Sequence, residues 1–279
     1  MEYVTLNNGV KMPLMGYGVY QIRDAAEAER CVLDAIDAGY RHIDTAAVYG
    51  NEEAVGKAIR KCGVPREELF ITTKLWIADY GYEKAKKAFE TSLNKLGLDY
   101  VDLYLLHKPY NDYYGAWRAV EELYKEGKIR AIGVTSFWNE RLADLMSFNE
   151  ITPAVNQVDT NVFNQQWESQ KFMNEQGIVH EAWAPFAEGQ NGVFKNPVLQ
   201  AIGDKYGKTT GQVMLRWLIQ RNIPVIPKTV HKERMIENMN VFDFRLSEED
   251  MELIRTLDTG KSVIYDEMNP AIVMGLAKR

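Results

Sequence analysis

A chain of 279 residues with 46% apolar and 26% charged side chains can bury a substantial core, as one large α/β domain or two smaller ones. Its net charge of -6, with scattered basic residues and no Lys/Arg run, argues against a nucleic-acid or acidic-membrane surface and leaves a small molecule as the expected partner. Cys31 and Cys62 are too few for a disulfide framework, the opening residues show no basic-then-apolar leader, and no run approaches the roughly 20 apolar residues of a membrane span, so a cytoplasmic protein with reduced thiols is expected.

In chain order, Tyr3 to Leu6 and Val10 to Met12 flank Asn8-Gly9, the strongest short hairpin signal. Strand-like runs then alternate with amphipathic segments. Leu14 to Val19 precedes a helix over Ala25 to Ala38, Arg41 to Asp44 one over Glu52 to Lys61, and Leu69 to Lys74 one over Glu83 to Leu96. Val101 to His107 leads to Ala116 to Lys125, Ile129 to Thr135 to Glu140 to Phe148, and Ala154 to Val158 to Glu168 to Glu175. Val179 to Trp183 comes next, then helical Val198 to Tyr206 and Gly211 to Gln220, then Ile223 to Ile226 with a helix over Glu233 to Met239. Ser247 caps a last helix to Leu257, with acids in its first turn where the helix dipole favours them.

Eight strands and at least eight helices are the number that closes an α/β TIM barrel, a (β/α)8 fold preceded by the N-terminal β-hairpin. No Pro/Ser/Gly linker or low-complexity tract interrupts the alternation, so residues 1–279 are expected to form a single domain.

Asp44, Tyr49, Lys74 and His107 each sit where a strand-like run gives out into a loop, and in a parallel barrel those ends meet on the face that carries the active site. A phenol with its ordinary pKa of about 10 is a weak donor near neutrality. Lys74 could stabilise its anion, Asp44 could hold the ammonium charged, and His107 could donate to a carbonyl oxygen. Each of these residues taken alone is more often structural. Four dispersed histidines and two cysteines give no metal-ligand spacing, so no metal is expected.

Gly16-Tyr-Gly18-Val-Tyr-Gln21 lacks the third glycine of a dinucleotide fingerprint, and Gly203-Asp-Lys-Tyr-Gly207-Lys-Thr209 is too short for a phosphate loop and reads as a helix end and turn. A stronger phosphate candidate is Lys228 after the eighth strand with Arg234 on the next helix, a point charge and a planar fork able to share one dianion.

With those residues in place, the chain resembles the aldo-keto reductases over nearly its whole length. Gly39 to Glu53 matches the first family signature, Leu96 to His107 the second, and Ile226-Pro-Lys228-Thr229 onward the third. The resemblance implies an NADPH-dependent oxidoreductase of small aldehydes and ketones, with Asp44, Tyr49, Lys74 and His107 as catalytic tetrad. It implies Thr135, Ser136 and Gln157 on the nicotinamide carboxamide and Trp183 stacked on the nicotinamide. It further places Lys228, Thr229 and Arg234 around the 2′-phosphate, with Glu237 and Asn238 at the adenine.

Three positions depart from the family: Thr135-Ser136 replaces the usual Ser-Asn, Ala184 replaces a Ser, and Lys108 replaces a pocket Trp. Lys108 reads equally as a cation toward an acidic substrate or as a chain pointing to solvent. Tyr20 and Trp76 are expected pocket walls. The short tail is similar to the compact bacterial branch that includes diketogluconate and methylglyoxal reductases, with broad specificity and a monomer expected. The alternative is a nicotinamide-binding regulatory subunit with little turnover.

Overall fold

The computed structural model describes residues 2–278. Strands β1 (Tyr3–Thr5) and β2 (Lys11–Pro13) form the antiparallel hairpin, with Gly9 at its tip. Seven parallel strands follow in sequential order: β3 (Gly16–Gly18), β4 (His42–Asp44), β5 (Phe70–Leu75), β6 (Val101–Leu106), β7 (Ile129–Thr135), β8 (Val155–Asp159) and β9 (Val179–Trp183).

The eighth run, Ile223 to Ile226, is reduced to its centre. Val225 bridges Met15 on one side and Ala182 on the other, both parallel, and so joins the first strand to the last and closes the barrel. The reason it goes no further is covalent: Pro224 and Pro227 flank it and have no N–H to extend a ladder. What remains is well used. Val225 N donates to Leu14 O at 2.9 Å, Gly16 N to Val225 O at 2.8 Å and Ala182 N to Pro224 O at 2.8 Å.

The glycines of the failed dinucleotide fingerprint have a packing role here. A Cβ on Gly16 would lie 2.5 Å from His42 Nδ1, and one on Gly18 2.9 Å from Ile226 O, so β3 passes its neighbours only with glycine at these two positions.

Helices α1 (Ala25–Asp37), α2 (Glu52–Lys61), α3 (Tyr82–Leu96), α4 (Tyr113–Lys125), α5 (Asn139–Ser147) and α6 (Trp167–Glu175) connect the strands. Helix α1 shows the common logic: Ala28, Cys31, Val32, Ala35 and Ile36 recur at helical spacing and are buried, while Asp24 caps the start by accepting from Glu27 N. Helices α7 (Pro197–Tyr206) and α8 (Thr210–Gln220) are separated by the turn expected from Gly203 to Thr209. Gly207 ends α7 in the left-handed region and Thr209 opens α8 with a capping box to Gln212. Helix α9 (Lys232–Met239) follows the closing bridge, and α10 (Glu248–Arg255) carries the Ser247 cap with Asp250.

One further helix, α11 (Pro270–Leu276), was not foreseen; Asn269 caps it and Pro270 takes its first position. Cys31 is buried and Cys62 half-buried, both free thiols. At the end of the barrel opposite the loops that follow the strands, Asp102 holds Arg66 at 2.7 Å and Arg130 at 2.6 Å and accepts from Ile71 N, which gives this acid of the second signature a structural duty. No helix among the described residues is long and apolar enough to cross a membrane.

Candidate active site

Register brings the strand ends level: Gly18 pairs with Asp44, Asp44 with Thr72, Thr135 with Gln157, and Asp159 with Trp183. Lys74 extends from β5 into this ring and is fully buried. Its Nζ donates to Asp44 Oδ1 at 2.5 Å and to Thr45 O at 2.9 Å. Such a buried pair is tolerated because further hydrogen bonds complete it. Gln157 Nε2 supplies one to Asp44 Oδ2 at 3.0 Å and a second to Glu181 Oε2 at 2.9 Å. Both amide donors are thereby committed, and the carbonyl oxygen is the group left for a ligand.

Tyr49 stands on a 3-10 turn, Ala47–Tyr49, which Gly50 ends at a φ of 73° that favours glycine. The loop is braced from behind. Thr45 Oγ1 donates to Asn51 Oδ1 at 2.8 Å, and Asn51 Nδ2 donates to the carbonyls of Val19 and Ile22. The Tyr49 ring lies 4.9 Å from that of Tyr20 and 5.7 Å from that of His107, edge to face in the second case, and Trp76 closes on His107 at 5.2 Å. Lys74 Nζ is 5.2 Å from the centre of the Tyr49 ring.

Electrostatics correct one expectation. Burial pushes the Tyr49 phenol well above its ordinary range, and the nearby Asp44 carboxylate acts in the same direction, so the acidification expected from Lys74 is not what this arrangement shows. Lys74 is instead held against Asp44. Tyr49 is therefore a neutral phenol that carries its proton at neutral pH. His107 is likewise neutral: burial, then the Lys74 and Lys108 charges, hold its imidazole well below the usual value.

Lys108 follows neither of its two readings. It is 5% exposed, and its Nζ donates to Ser136 Oγ at 2.9 Å, to Tyr265 OH at 3.1 Å and to the Glu267 carboxylate. It does not point to solvent, and it lines the cleft with its charge already paired.

These residues line one cleft of about 1300 Å³. Its lining includes Tyr20, Asp44, Tyr49, Trp76, His107 and Lys108, then Thr135, Gln157 and Trp183, and also Lys228, Thr229, Arg234, Glu237 and Asn238. Lys74 lies behind this wall, and Ser136 is turned to Lys108 and Glu267. Among the described residues, no ion pair engages Lys228 or Arg234, and both are exposed. Thr135 Oγ1 is buried without a partner. Glu237 accepts from Thr209 Oγ1 at 2.7 Å and so has one oxygen committed. A cleft lined by two cations without ion-pair partners among the described residues, a half-buried indole and an unpaired hydroxyl fits a dinucleotide carrying an extra phosphate. No cluster of metal-ligating side chains occurs among the described residues.

The aldo/keto reductase family profile matches residues 14–259. The chain belongs to the aldo/keto reductase family. As a member, it is 49% identical over 263 residues to the glyoxal reductase of Bacillus subtilis, a match covering 94% of this chain and 95% of that one. It is 42% identical over 261 residues to a methylglyoxal reductase of Escherichia coli, covering 92% and 94%. The aldo-keto reductase of Bombyx mori, solved in complex with NADP, superposes with a TM-score of 0.90 at 36% identity over 95% of each chain. The resemblance to the compact bacterial branch is thus upheld.

Within this aldo-keto reductase, three site residues escaped the sequence reading. Glu181 lies in the cluster with Asp44 and Gln157, and burial pushes its carboxyl upward. An acid two residues before Trp183 on a buried strand, on the same face, was the available signal. Tyr265 stacks on Trp183 with ring centres 6.1 Å apart, and Glu267 pairs with Lys108; nothing local in the tail marks either contact.

Proposed function

We propose that this chain is an NADPH-dependent reductase of small aldehydes and ketones, α-dicarbonyl and keto-sugar compounds among them. The observation that carries this reading is that one cleft is lined both by Tyr49 and His107, beside a buried Lys74–Asp44 pair, and by Lys228 and Arg234, which have no ion-pair partner among the described residues. The dicarbonyl names of the two bacterial relatives support the substrate class.

Lys228, Thr229 and Arg234 would hold the 2′-phosphate, Glu237 and Asn238 the adenine, and Trp183 the nicotinamide face. Gln157, with Thr135, offers polar groups to the carboxamide, while Ser136 is shared with Lys108 and Glu267. When bound, NADPH supplies the hydride that the carbonyl carbon receives. Tyr49 gives its proton to the carbonyl oxygen, and the neutral His107 orients that oxygen by donating to it. Lys74, fixed by Asp44, offsets negative charge as the phenol ionises. Trp76 and Tyr20 exclude water from the reacting end. The chain acts as one barrel domain, a cytoplasmic monomer.

Steady-state oxidation of NADPH and of NADH, measured over a panel of carbonyl compounds, tests the reading. Turnover with NADPH and phenylglyoxal is expected, with NADH less effective and Arg234→Ala narrowing the difference about tenfold or more, since only NADPH carries the phosphate. Cofactor binding without measurable turnover on any compound would instead mark a regulatory subunit.

A further inference from the structure

The Lys108 ammonium has three donors and three acceptors, Ser136, Tyr265 and Glu267, so its hydrogen-bonding capacity is met within the chain. Glu267 is held in turn: its carboxylate accepts from Ser136 Oγ at 2.8 Å, and its backbone carbonyl accepts from Tyr110 OH at 2.6 Å. Lys108 is buried and Glu267 half-buried, at 6% and 14% side-chain exposure. It stands beside the rings that frame the reacting end, with Lys108 Nζ 5.5 Å from the centres of both Trp183 and Tyr265.

Resting on the reductase reading above, we infer that Glu267 is a specificity-determining residue: it neutralises Lys108 and so makes the pocket selective for uncharged carbonyl substrates over those bearing a carboxylate. The remaining charges at this end cancel as well, since Lys74 is paired with Asp44 and His107 is neutral. A substrate carboxylate entering here meets a cation already satisfied and a second carboxylate that repels it. In a partly dry cleft neither effect is screened by water. A neutral carbonyl meets neither obstacle. The selectivity therefore comes from the C-terminal segment, which reaches 159 residues along the chain to meet the loop after β6.

The test compares 4-formylbenzoate with its neutral isostere 4-formylbenzamide, as the ratio of kcat/KM values with NADPH. Each variant serves as its own control, because general damage affects both substrates alike. In Glu267→Gln the ratio of acid to amide should rise about tenfold or more; in Lys108→Met it should fall; in the double variant the gain should vanish. A ratio in Glu267→Gln that stays at the parent value, or a gain that survives removal of Lys108, overturns the inference. If the parent reduces neither aldehyde, it is the reductase reading itself that fails.

Discussion

Tyr49→Phe is expected to lower kcat by roughly 100- to 10,000-fold, the usual contribution of a positioned general acid, while the affinity for NADPH stays within about twofold of the parent. The ring contacts to Tyr20 and His107 survive the change, so the packing of the reacting end is retained and only the transferable proton is lost. Fluorescence titration with NADPH and stopped-flow turnover separate the two effects. A variant that keeps turning over removes Tyr49 from its role; one that loses NADPH affinity as well makes it a binding residue.

The second large effect falls on stability. Lys74→Met leaves Asp44 almost fully buried without its cation, and breaking such a pair from one side costs about 3–5 kcal/mol. For a chain of this length, thermal denaturation should show a midpoint lower by about 10 °C, accompanied by loss of activity. The double variant Asp44→Asn with Lys74→Met removes both charges and should recover much of the lost stability while remaining inactive. If Lys74→Met melts with the parent, the pair is not the buried ion pair described above. If the double variant regains turnover, Lys74 is not needed to offset charge on Tyr49.

The barrel was legible because each strand is short and apolar, each helix is amphipathic, and the two periods differ. The catalytic candidates were legible because strand ends in a parallel barrel converge. Asp44, Tyr49, Lys74 and His107 come from three successive strand ends, and the hydrogen bonds and ring contacts between them follow from that placement.

What was hidden depended on distance or on burial. The eighth strand looked complete in its apolar run, but two prolines confine its pairing to Val225. Helix α11 is short and buries no residue fully, with only Ile272, Val273 and Leu276 half-buried on one face, although Asn269-Pro270 was a usable start signal. The state of Lys108 could not be read from His107-Lys108-Pro109, because its partner lies far along the chain in the tail. The phenol's pKa direction was hidden for a related reason: the sequence places Lys74 near Tyr49 but does not say that Lys74 is held against Asp44 at 2.5 Å, or that burial and the Asp44 carboxylate push the phenol upward together.

Passage of hydride from NADPH to a substrate carbonyl in this cleft is tested most directly by isotope transfer. The protein is incubated with phenylglyoxal and NADPH carrying deuterium at the C4 position of its nicotinamide, and the product is examined by mass spectrometry. The expected product is an alcohol with one deuterium on the carbinol carbon, formed in step with NADPH consumption. An alcohol without the label, or NADPH that is bound but never consumed, would contradict it.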